Sequence, residues 1–332
     1  MESNLNSPES LLEVRHLKTH FFTRRGVVKA VNDVSFDVKK GETLGLVGES
    51  GSGKTITVMS ILQLLPRGAE ILDGEIIFEN EDLIPKTEKE LEQFRGKRIG
   101  LILQNSMTAL DPVFTIGTQI AESLVVHKNL SWKESFKSAA DLLRKVKIGA
   151  PEMRAKLFPH EFSGGMRQRA ASAAAIGPTP ALIIADEPTT ALDVTTQRQY
   201  LQLLQEIQAQ TDVTIIFITH DMSIVGSLCD RIAVFYGGLV VEIGYKAEIF
   251  DEPSHPYTKA LLGAIPVLGE KVERLQSVEG EPPNPSKMPD GCPFAPRCEA
   301  AMDKCRVGAP PPVFQLPNAR RVRCWLHEDD HE

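Results

Sequence analysis

The sequence has no run of apolar residues close to the ~20 that a membrane-spanning helix requires. Its most apolar stretch, residues 173–185, is interrupted by Gly177, Pro178 and Pro180. The first ten residues, MESNLNSPES, lack the basic start and the apolar core of a secretory signal. We therefore expect a cytosolic protein, and any role at a membrane would require a partner that spans the bilayer.

Basic residues are not in excess. The chain holds 37 Lys and Arg against 44 Asp and Glu, which gives a formal net charge of −7 at neutral pH. Nucleic-acid-binding domains usually carry a basic excess, so this balance gives no support for a nucleic-acid partner. Hydrophobic residues make up 42% of the chain, which is ordinary for a globular protein with a buried core. At ~150 residues per domain, 332 residues predict two domains, or one domain with an appendage.

Cysteine is scarce and unevenly distributed. Of five cysteines, Cys229 stands alone and the other four fall after residue 290. Those four are Cys292, Cys298, Cys305 and Cys324. Disulfides are rare in cytosolic proteins, so we do not expect these thiols to form them. Proline and glycine also become frequent after about residue 250, which predicts an irregular extension over residues 251–332.

Three apolar runs predict strands, and the two later runs are continuous, as expected of strands buried on both faces of a parallel sheet. They cover residues 43–47, 181–185 and 213–219. Between the second and the third run, apolar residues at positions 200, 203, 204 and 207 have helical spacing. The order strand, helix, strand predicts an α/β fold with a parallel core.

Other patterns indicate an antiparallel part and a helical part. Apolar and polar residues alternate over residues 34–38, as in a half-buried strand. Apolar runs on both sides of the glycine pair 237–238 predict a β-hairpin. Residues from about 116 to 175 have a helical pattern, and residues 131–134 fit a capping box.

A glycine-rich run between the first apolar strand and a helix matches the pattern G-x-x-x-x-G-K-[ST]. Its residues are Gly48, Glu49, Ser50, Gly51, Ser52, Gly53, Lys54 and Thr55. Glycines let successive backbone N–H groups point inward as an anion nest, and the following helix N-terminus adds partial positive charge. Lys54 would reach the β- and γ-phosphates of a nucleotide, and the Thr55 hydroxyl would bind Mg²⁺.

The apolar run 181–185 ends at two acidic residues. Asp186 would be held rigidly at the carboxyl end of the sheet, where it can orient hydrated Mg²⁺. The adjacent Glu187 could polarise an attacking water as a general base. Many strands end in surface acids, so this pair gains its meaning from the glycine-rich loop that accompanies it.

Between these two segments, residues 162–169 read FSGGMRQR, which resembles the LSGGQ signature of ABC ATPases. Ser163 can cap a helix, and the two glycines expose backbone N–H groups to a phosphate. The resemblance implies further nucleotide-binding residues outside the glycine-rich loop. They are Phe21, Thr57, Ser163, Gly164, Gly165 and Asp193.

The resemblance also implies specific roles. Gln104 looks like the Q-loop residue, which contacts Mg²⁺ or water and senses the transmembrane partner. Asp193 lies in a segment similar to the D-loop, which crosses the dimer interface. His220 resembles the switch histidine, which contacts the γ-phosphate and joins Glu187, Lys54 and Gln104 in the catalytic set. Phe21 fits the aromatic residue that stacks on adenine, and Phe22 is the alternative.

More specifically, the chain resembles the ATPases of the oligopeptide, dipeptide and nickel permeases. The similarity rests on residues 162–169, 185–195, 255–258 and 291–298 and runs over about residues 12–327. Phe162 in place of the usual Leu is a departure that removes no chemical group. The family implies a P-loop NTPase cassette over residues 1–250, in which a parallel core carries an antiparallel β subdomain. A helical signature subdomain would lie at about 105–175, followed by the extension.

Such a protein is peripheral on the cytoplasmic face of the inner membrane and binds ATP and Mg²⁺. Its implied partners are two transmembrane permease subunits, a second ABC ATPase subunit and an extracytoplasmic solute-binding protein, with no nucleic acid. The second ATPase is expected to be a paralogue in preference to a second copy. Peptides are the expected solute, and nickel or another small solute is the alternative. Two other readings are a cytosolic, non-transport ABC ATPase and a metal or redox sensor built on the tail.

The four clustered cysteines suit either tetrahedral Zn²⁺ or an iron–sulfur cluster. Structural zinc sites usually contain a C-x₂₋₄-C pair, and this segment has none, so the spacing favours a cluster. Similarity to peptide-permease ATPases with this cysteine pattern points to [4Fe–4S]. The remaining alternative is four cysteines without metal. Cys229 should be uninvolved in either case.

Overall fold

The computed structural model describes residues 10–24, 26–104, 109–265 and 278–328 of the chain. These residues divide into two compact units. The first contains the described residues up to 85 together with those from 219 onward, and the second contains the described residues within 86–218.

The strands follow the chain in this order: β1 Ser10–Thr23, β2 Gly26–Lys39, β3 Thr43–Val47, β4 Ala69–Phe78, β5 Glu81–Asp82, β6 Ile99–Ile102, β7 Leu182–Asp186, β8 Thr214–Thr219, β9 Arg231–Tyr236, β10 Leu239–Tyr245, β11 Phe314–Gln315 and β12 Arg321–Val322. The α-helices of the described residues are α1 Lys54–Ile61, α2 Glu88–Leu91, α3 Ile116–Lys128, α4 Trp132–Lys145, α5 Pro151–Arg154, α6 Gly164–Ile176, α7 Val194–Thr211, α8 Met222–Leu228, α9 Lys246–Asp251 and α10 Pro256–Gly263. Short 3₁₀ helices cover Pro159–Glu161, Ala295–Arg297, Asp303–Arg306, Pro317–Ala319 and Trp325–His327.

The first unit contains an antiparallel sheet with the strand order β2-β1-β4-β5. The alternation over residues 34–38 is that of a half-buried strand, because Val34, Phe36 and Val38 of β2 are all at most 1% exposed. β2 pairs with β1 from end to end, from Ser10 opposite Lys39 to Thr23 opposite Gly26. This sheet corresponds to the predicted antiparallel part.

The same unit contains a second set of strands in the order β11-β12-β10-β9-β3. Every residue of β3 is buried, and β3 runs parallel to β9. The predicted hairpin is present as β9 and β10, which pair antiparallel around Gly237 and Gly238 with positive φ angles of 55° and 78°. Two φ values of this sign are what a two-residue hairpin turn requires.

The second unit contains three parallel strands in the order β6-β7-β8. β7 and β8 are buried along their whole length, as their continuous apolar sequences predict. Helices α3 to α6 cover the segment with a helical pattern. The predicted capping box at the start of α4 is confirmed, because Ser131 Oγ accepts from Glu134 N while the Glu134 carboxylate accepts from Ser131 N.

The C-terminal region has little regular structure. Residues 281–298 contain only the 3₁₀ turn at Ala295–Arg297, whereas helix α10 at Pro256–Gly263 lies within the extension that was predicted to be irregular. The short strand β12 nevertheless extends the second sheet, through pairs such as Glu242 with Val322. Among the described residues, no helix combines the length and the apolar character needed to cross a membrane.

Candidate nucleotide-binding and catalytic site

The loop between β3 and α1 has a backbone that only glycine can adopt at two points. Gly48 has a φ of 154° and Gly53 a φ of 104°. A Cβ at Gly48 would overlap the carbonyl oxygen of Phe235, and one at Gly53 would overlap that of Ala30. Both ends of the loop are therefore fixed against neighbouring backbone, in the conformation expected of a phosphate-binding nest.

Lys54, the first residue of α1, is folded back over this loop. Its ammonium group donates to the carbonyl oxygens of Gly48 at 2.7 Å and Glu49 at 2.9 Å, and to Ser52 Oγ at 3.3 Å. The side chain is only 4% exposed. A positive charge is thus held at the loop, where an anion bound by the backbone N–H groups would meet it.

The other predicted nucleotide-binding residues of the first unit differ in exposure. Thr55 is exposed, whereas Thr57 is fully buried and its Oγ1 donates to the Gly53 carbonyl oxygen at 2.9 Å. Phe21 is half-buried in β1, and its neighbour Phe22 is 48% exposed. The nucleotide contacts of Thr57 and of either phenylalanine stay predictions.

The two predicted acidic residues lie at the end of β7 in the second unit, where Asp186 is the last residue of the strand. Asp186 is 3% exposed, so its carboxylate is held inside the end of the strand. Glu187 follows with a φ of 42°, a left-handed conformation that is uncommon for a residue with a side chain. Its backbone N–H donates to Ile218 O at 3.0 Å, which ties this turn to β8. A strained backbone held in place in this way is a frequent property of functional sites.

Two side chains hold the Glu187 carboxylate. Gln104 Nε2 donates to Glu187 Oε2 at 2.9 Å, and Thr190 Oγ1 donates to the same oxygen at 3.0 Å. The structure therefore brings together Gln104 and Glu187, which were predicted separately from distant parts of the sequence. A carboxylate oriented by two donors is suited to accept a proton from a bound water.

The signature segment forms the start of α6. Ser163 is exposed and caps the helix, with its Oγ accepting from Met166 N at 3.3 Å. Gly164 borders open space, and a Cβ at Gly165 would lie 2.5 Å from Thr196 Cγ2. Gly164 therefore leaves space beside the helix N-terminus, which is compatible with the predicted phosphate contact.

Asp193 caps α7 beside the signature. Its carboxylate accepts from Thr196 N at 3.0 Å and from Thr196 Oγ1 at 2.7 Å. The hydrogen bond from the Thr196 hydroxyl has the largest effect on the pKa of Asp193, followed by the one from Thr196 N, and both lower this pKa below its usual value. Thr196 therefore touches both the D-loop aspartate and the signature glycine Gly165. In the first unit, His220 is exposed directly after β8, and its catalytic role stays a prediction.

The four clustered cysteines line one small cavity of about 20 Å³ in the first unit. A backbone hydrogen bond joins two of their segments, since Cys292 N donates to Cys305 O at 2.8 Å. Burial raises the pKa of the Cys292 thiol to about 11 and also raises the pKa of Cys298 and Cys324. Cys229 lies elsewhere, beside Gly45 and Val225.

The four thiols are a suitable donor set for zinc or an iron–sulfur cluster. In this structure, no group of three or more His, Cys, Asp or Glu side chains within the described ranges is placed to hold a metal ion. The fold therefore places the four cysteines around one cavity, with no metal needed to explain their positions.

Comparison with known proteins identifies the family. The ABC transporter family matches residues 31–190, and the family described as the C-terminal region of oligopeptide/dipeptide transporters matches residues 241–305. The oligopeptide transport ATP-binding protein AppD of Bacillus subtilis strain 168 is 46% identical over 322 residues, which are 97% of this chain and 98% of AppD. The dipeptide transport protein DppD of the same organism is 46% identical over 325 residues, 98% of this chain and 97% of DppD. The chain belongs to the ABC transporter ATP-binding family.

Solved ABC cassettes have the same fold. A dimeric cassette in a post-hydrolysis state with ADP and phosphate bound superposes with a TM-score of 0.64 and 26% identity, over 71% of this chain and 98% of that one. The predicted cassette fold is confirmed by this match and by the mixed α/β sheets. Membership of the ABC family also confirms the predicted enzyme class, an ATP hydrolase.

The sequence did not assign roles to three residues that contact the ABC motifs. Thr190 binds the Glu187 carboxylate, and its position three residues after Glu187 was an available signal. Tyr257 and Arg297 contact Glu49 of the glycine-rich loop. They lie in segments that served only to recognise the family, and no local pattern indicates their contact with a loop so distant in sequence.

Replacing Thr190 with valine should slow ATP hydrolysis by about three- to tenfold, because one hydrogen bond that orients Glu187 is lost without a change in volume. The KM for ATP should change little, since the Thr190 hydroxyl acts on the Glu187 carboxylate. Thr190→Ser keeps the hydroxyl and should keep most of the activity. Steady-state phosphate release measures both variants, and equal loss in the two would contradict the role of the hydroxyl.

Proposed function

We propose that this chain is the ATP-hydrolysing subunit of an ABC importer that takes up oligopeptides or dipeptides. The observation that carries the proposal is its near-full-length similarity to peptide transport ATP-binding proteins, which includes the C-terminal region at residues 241–305. The chain would act as a peripheral subunit at the cytoplasmic face of the membrane. Its partners would be two permease subunits, a solute-binding protein and a second cassette, a paralogue in preference to a second copy.

In this proposal, residues 1–250 form the nucleotide-binding domain, with the signature subdomain at about 105–175. Residues 251–332 form the Pro- and Cys-rich extension. Phe21 stacks on adenine, and His220 contacts the γ-phosphate. Ser163 acts on the nucleotide of the opposite cassette, so that each complete site is formed by residues of two chains.

The loop and Lys54 hold the triphosphate, and Glu187 accepts a proton from the attacking water as its oxygen approaches the γ-phosphorus. Gln104 and Thr190 keep the Glu187 carboxylate in one orientation, which reduces the cost of reaching the reactive geometry.

Magnesium would be held by Thr55, Gln104 and Asp186. Hydroxyl, amide and carboxylate oxygens are the hard donors that Mg²⁺ prefers, so the donor set fits this ion. When bound, the ion supplies positive charge that offsets the charge of the phosphates.

Glu187→Gln should retain ATP binding and lose about 10²–10⁴-fold in steady-state hydrolysis, because the water loses its base while the loop is intact. Lys54→Ala should weaken binding itself. Glu206→Gln, an exposed carboxylate on α7, is the matched control and should behave as wild type. Nucleotide titration and phosphate release distinguish the three variants, and near-normal turnover by Glu187→Gln would exclude it as the base.

We also propose that Cys292, Cys298, Cys305 and Cys324 bind a [4Fe–4S] cluster, with Zn²⁺ as the alternative. Their convergence on one cavity supports this proposal. Anaerobic purification, a visible spectrum and analysis for iron, sulfide and zinc provide the test.

About four irons per chain are expected, and Cys292→Ser should lose them. Cys229→Ser removes a buried cysteine outside the cavity and should leave the metal content unchanged. Stoichiometric zinc would select the alternative, and a folded, metal-free protein would end both.

A further inference from the structure

Glu49, the second residue of the glycine-rich loop, forms an ion pair with the C-terminal region. Arg297 Nη1 donates to Glu49 Oε2 at 2.8 Å, and Nη2 donates to Glu49 Oε1 at 3.0 Å. The arginine side chain is 5% exposed and the glutamate side chain is 24% exposed. Two parallel hydrogen bonds of this kind fix both the distance and the orientation of the carboxylate.

Every N–H group of the Arg297 guanidinium has an acceptor in the first unit. Besides the two bonds to Glu49, Nη1 donates to Tyr236 Oη at 3.1 Å, Nη2 to Val278 O at 3.0 Å and Nε to Glu279 O at 2.8 Å. Five donors in a rigid fork are unique to arginine. The guanidinium is therefore fully hydrogen-bonded at this position.

The backbone of Glu49 is held by the same region. Its N–H donates to Tyr257 Oη at 3.0 Å. Tyr257 is fully buried, and its ring lies 4.4 Å from that of Tyr236 and 5.3 Å from that of Phe294, centroid to centroid. Both the main chain and the side chain of one loop residue are thus anchored by residues that follow position 250 in the sequence.

The charge of Glu49 is unfavourable for the proposed ligand. A carboxylate in a loop that binds a triphosphate repels the phosphates, and at partly buried distances such repulsion is worth about a tenfold change in affinity. Arg297 neutralises the Glu49 carboxylate and holds it against the C-terminal region through two hydrogen bonds. A purely mechanical clamp would not require an arginine that pairs with an acid inside the loop.

We infer that Arg297 is a positioning residue for nucleotide binding, which holds the Glu49 carboxylate against the C-terminal region and cancels the charge that Glu49 places beside the phosphates, while the Tyr257 hydroxyl holds the loop backbone. This inference rests on the proposed ATP-binding function. It gives the C-terminal region a direct part in forming the nucleotide site, in addition to any role of its cysteines.

Opposite effects of the two single variants test the inference. Arg297→Gln leaves the Glu49 charge unbalanced and should raise the Kd for Mg·ATP about tenfold. Glu49→Gln leaves an unbalanced positive charge and should lower the Kd about two- to fivefold. The double variant Glu49→Gln/Arg297→Gln removes both charges and should return to within about threefold of wild type. At saturating ATP, kcat of Arg297→Gln should stay within about twofold of wild type, so that the effect appears in KM.

Arg323→Gln is the matched control. Arg323 Nη2 pairs with Asp33 Oδ2 at 2.8 Å, with side-chain exposures of 9% and 30%, and it also attaches the C-terminal region to the first unit. It does not contact the glycine-rich loop. Its loss should destabilise the fold to a similar degree in urea unfolding and leave the Kd for ATP unchanged.

Three results would overturn the inference. They are an unchanged Kd in Arg297→Gln, an equal rise of the Kd in Arg323→Gln, and a rise of the Kd in Glu49→Gln comparable to that of Arg297→Gln. A rise of the Kd in Glu49→Gln above the wild-type value would by itself contradict the inference, and this variant can be measured even if Arg297→Gln fails to fold. If the folded wild-type chain binds no Mg·ATP, the proposed function fails first, so the two failures are distinguishable.

Discussion

The structure depends on one constraint: the glycine-rich loop between β3 and α1 packs directly against neighbouring backbone. Both ends of that loop leave no space for a side chain, at Gly48 against Phe235 and at Gly53 against Ala30. A fully buried strand, β3, fixes one end, and helix α1 begins directly at the other. Any sheet distortion would move these contacts, so the core and the binding loop cannot vary independently.

The proposed general base, Glu187, is also held by its surroundings. Glu187 occupies a left-handed backbone conformation and is held by the carbonyl of Ile218, the amide of Gln104 and the hydroxyl of Thr190. Such a conformation costs about 1–3 kcal/mol and persists only where the surroundings fix it. The buried strand β7 supplies that rigidity, and the two side-chain hydrogen bonds orient the carboxylate as the proposed proton transfer requires.

Local patterns predicted much of this arrangement. Continuous apolar runs gave β3, β7 and β8, and the glycine pair 237–238 gave the hairpin, because periodicity and turn chemistry act over a few residues. Contacts between distant segments left no such signal. Arg297 and Glu49 are 248 residues apart, and Arg297 lies in a segment without periodicity. The cysteine cavity also depends on contacts between distant segments. A backbone hydrogen bond from Cys292 N to Cys305 O joins two of its segments, and the spacing of the cysteines does not indicate that bond.

The central claim is that the loop over residues 48–55 recognises the terminal phosphates of ATP. Equilibrium titration of the folded chain with ATP and with AMP, each in the presence of Mg²⁺, tests it most directly. Because the loop and Lys54 act on the β- and γ-phosphates, ATP should bind to one saturable site at least about tenfold more tightly than AMP. Equal affinity for the two nucleotides, or no binding of ATP by a folded chain, would contradict the claim.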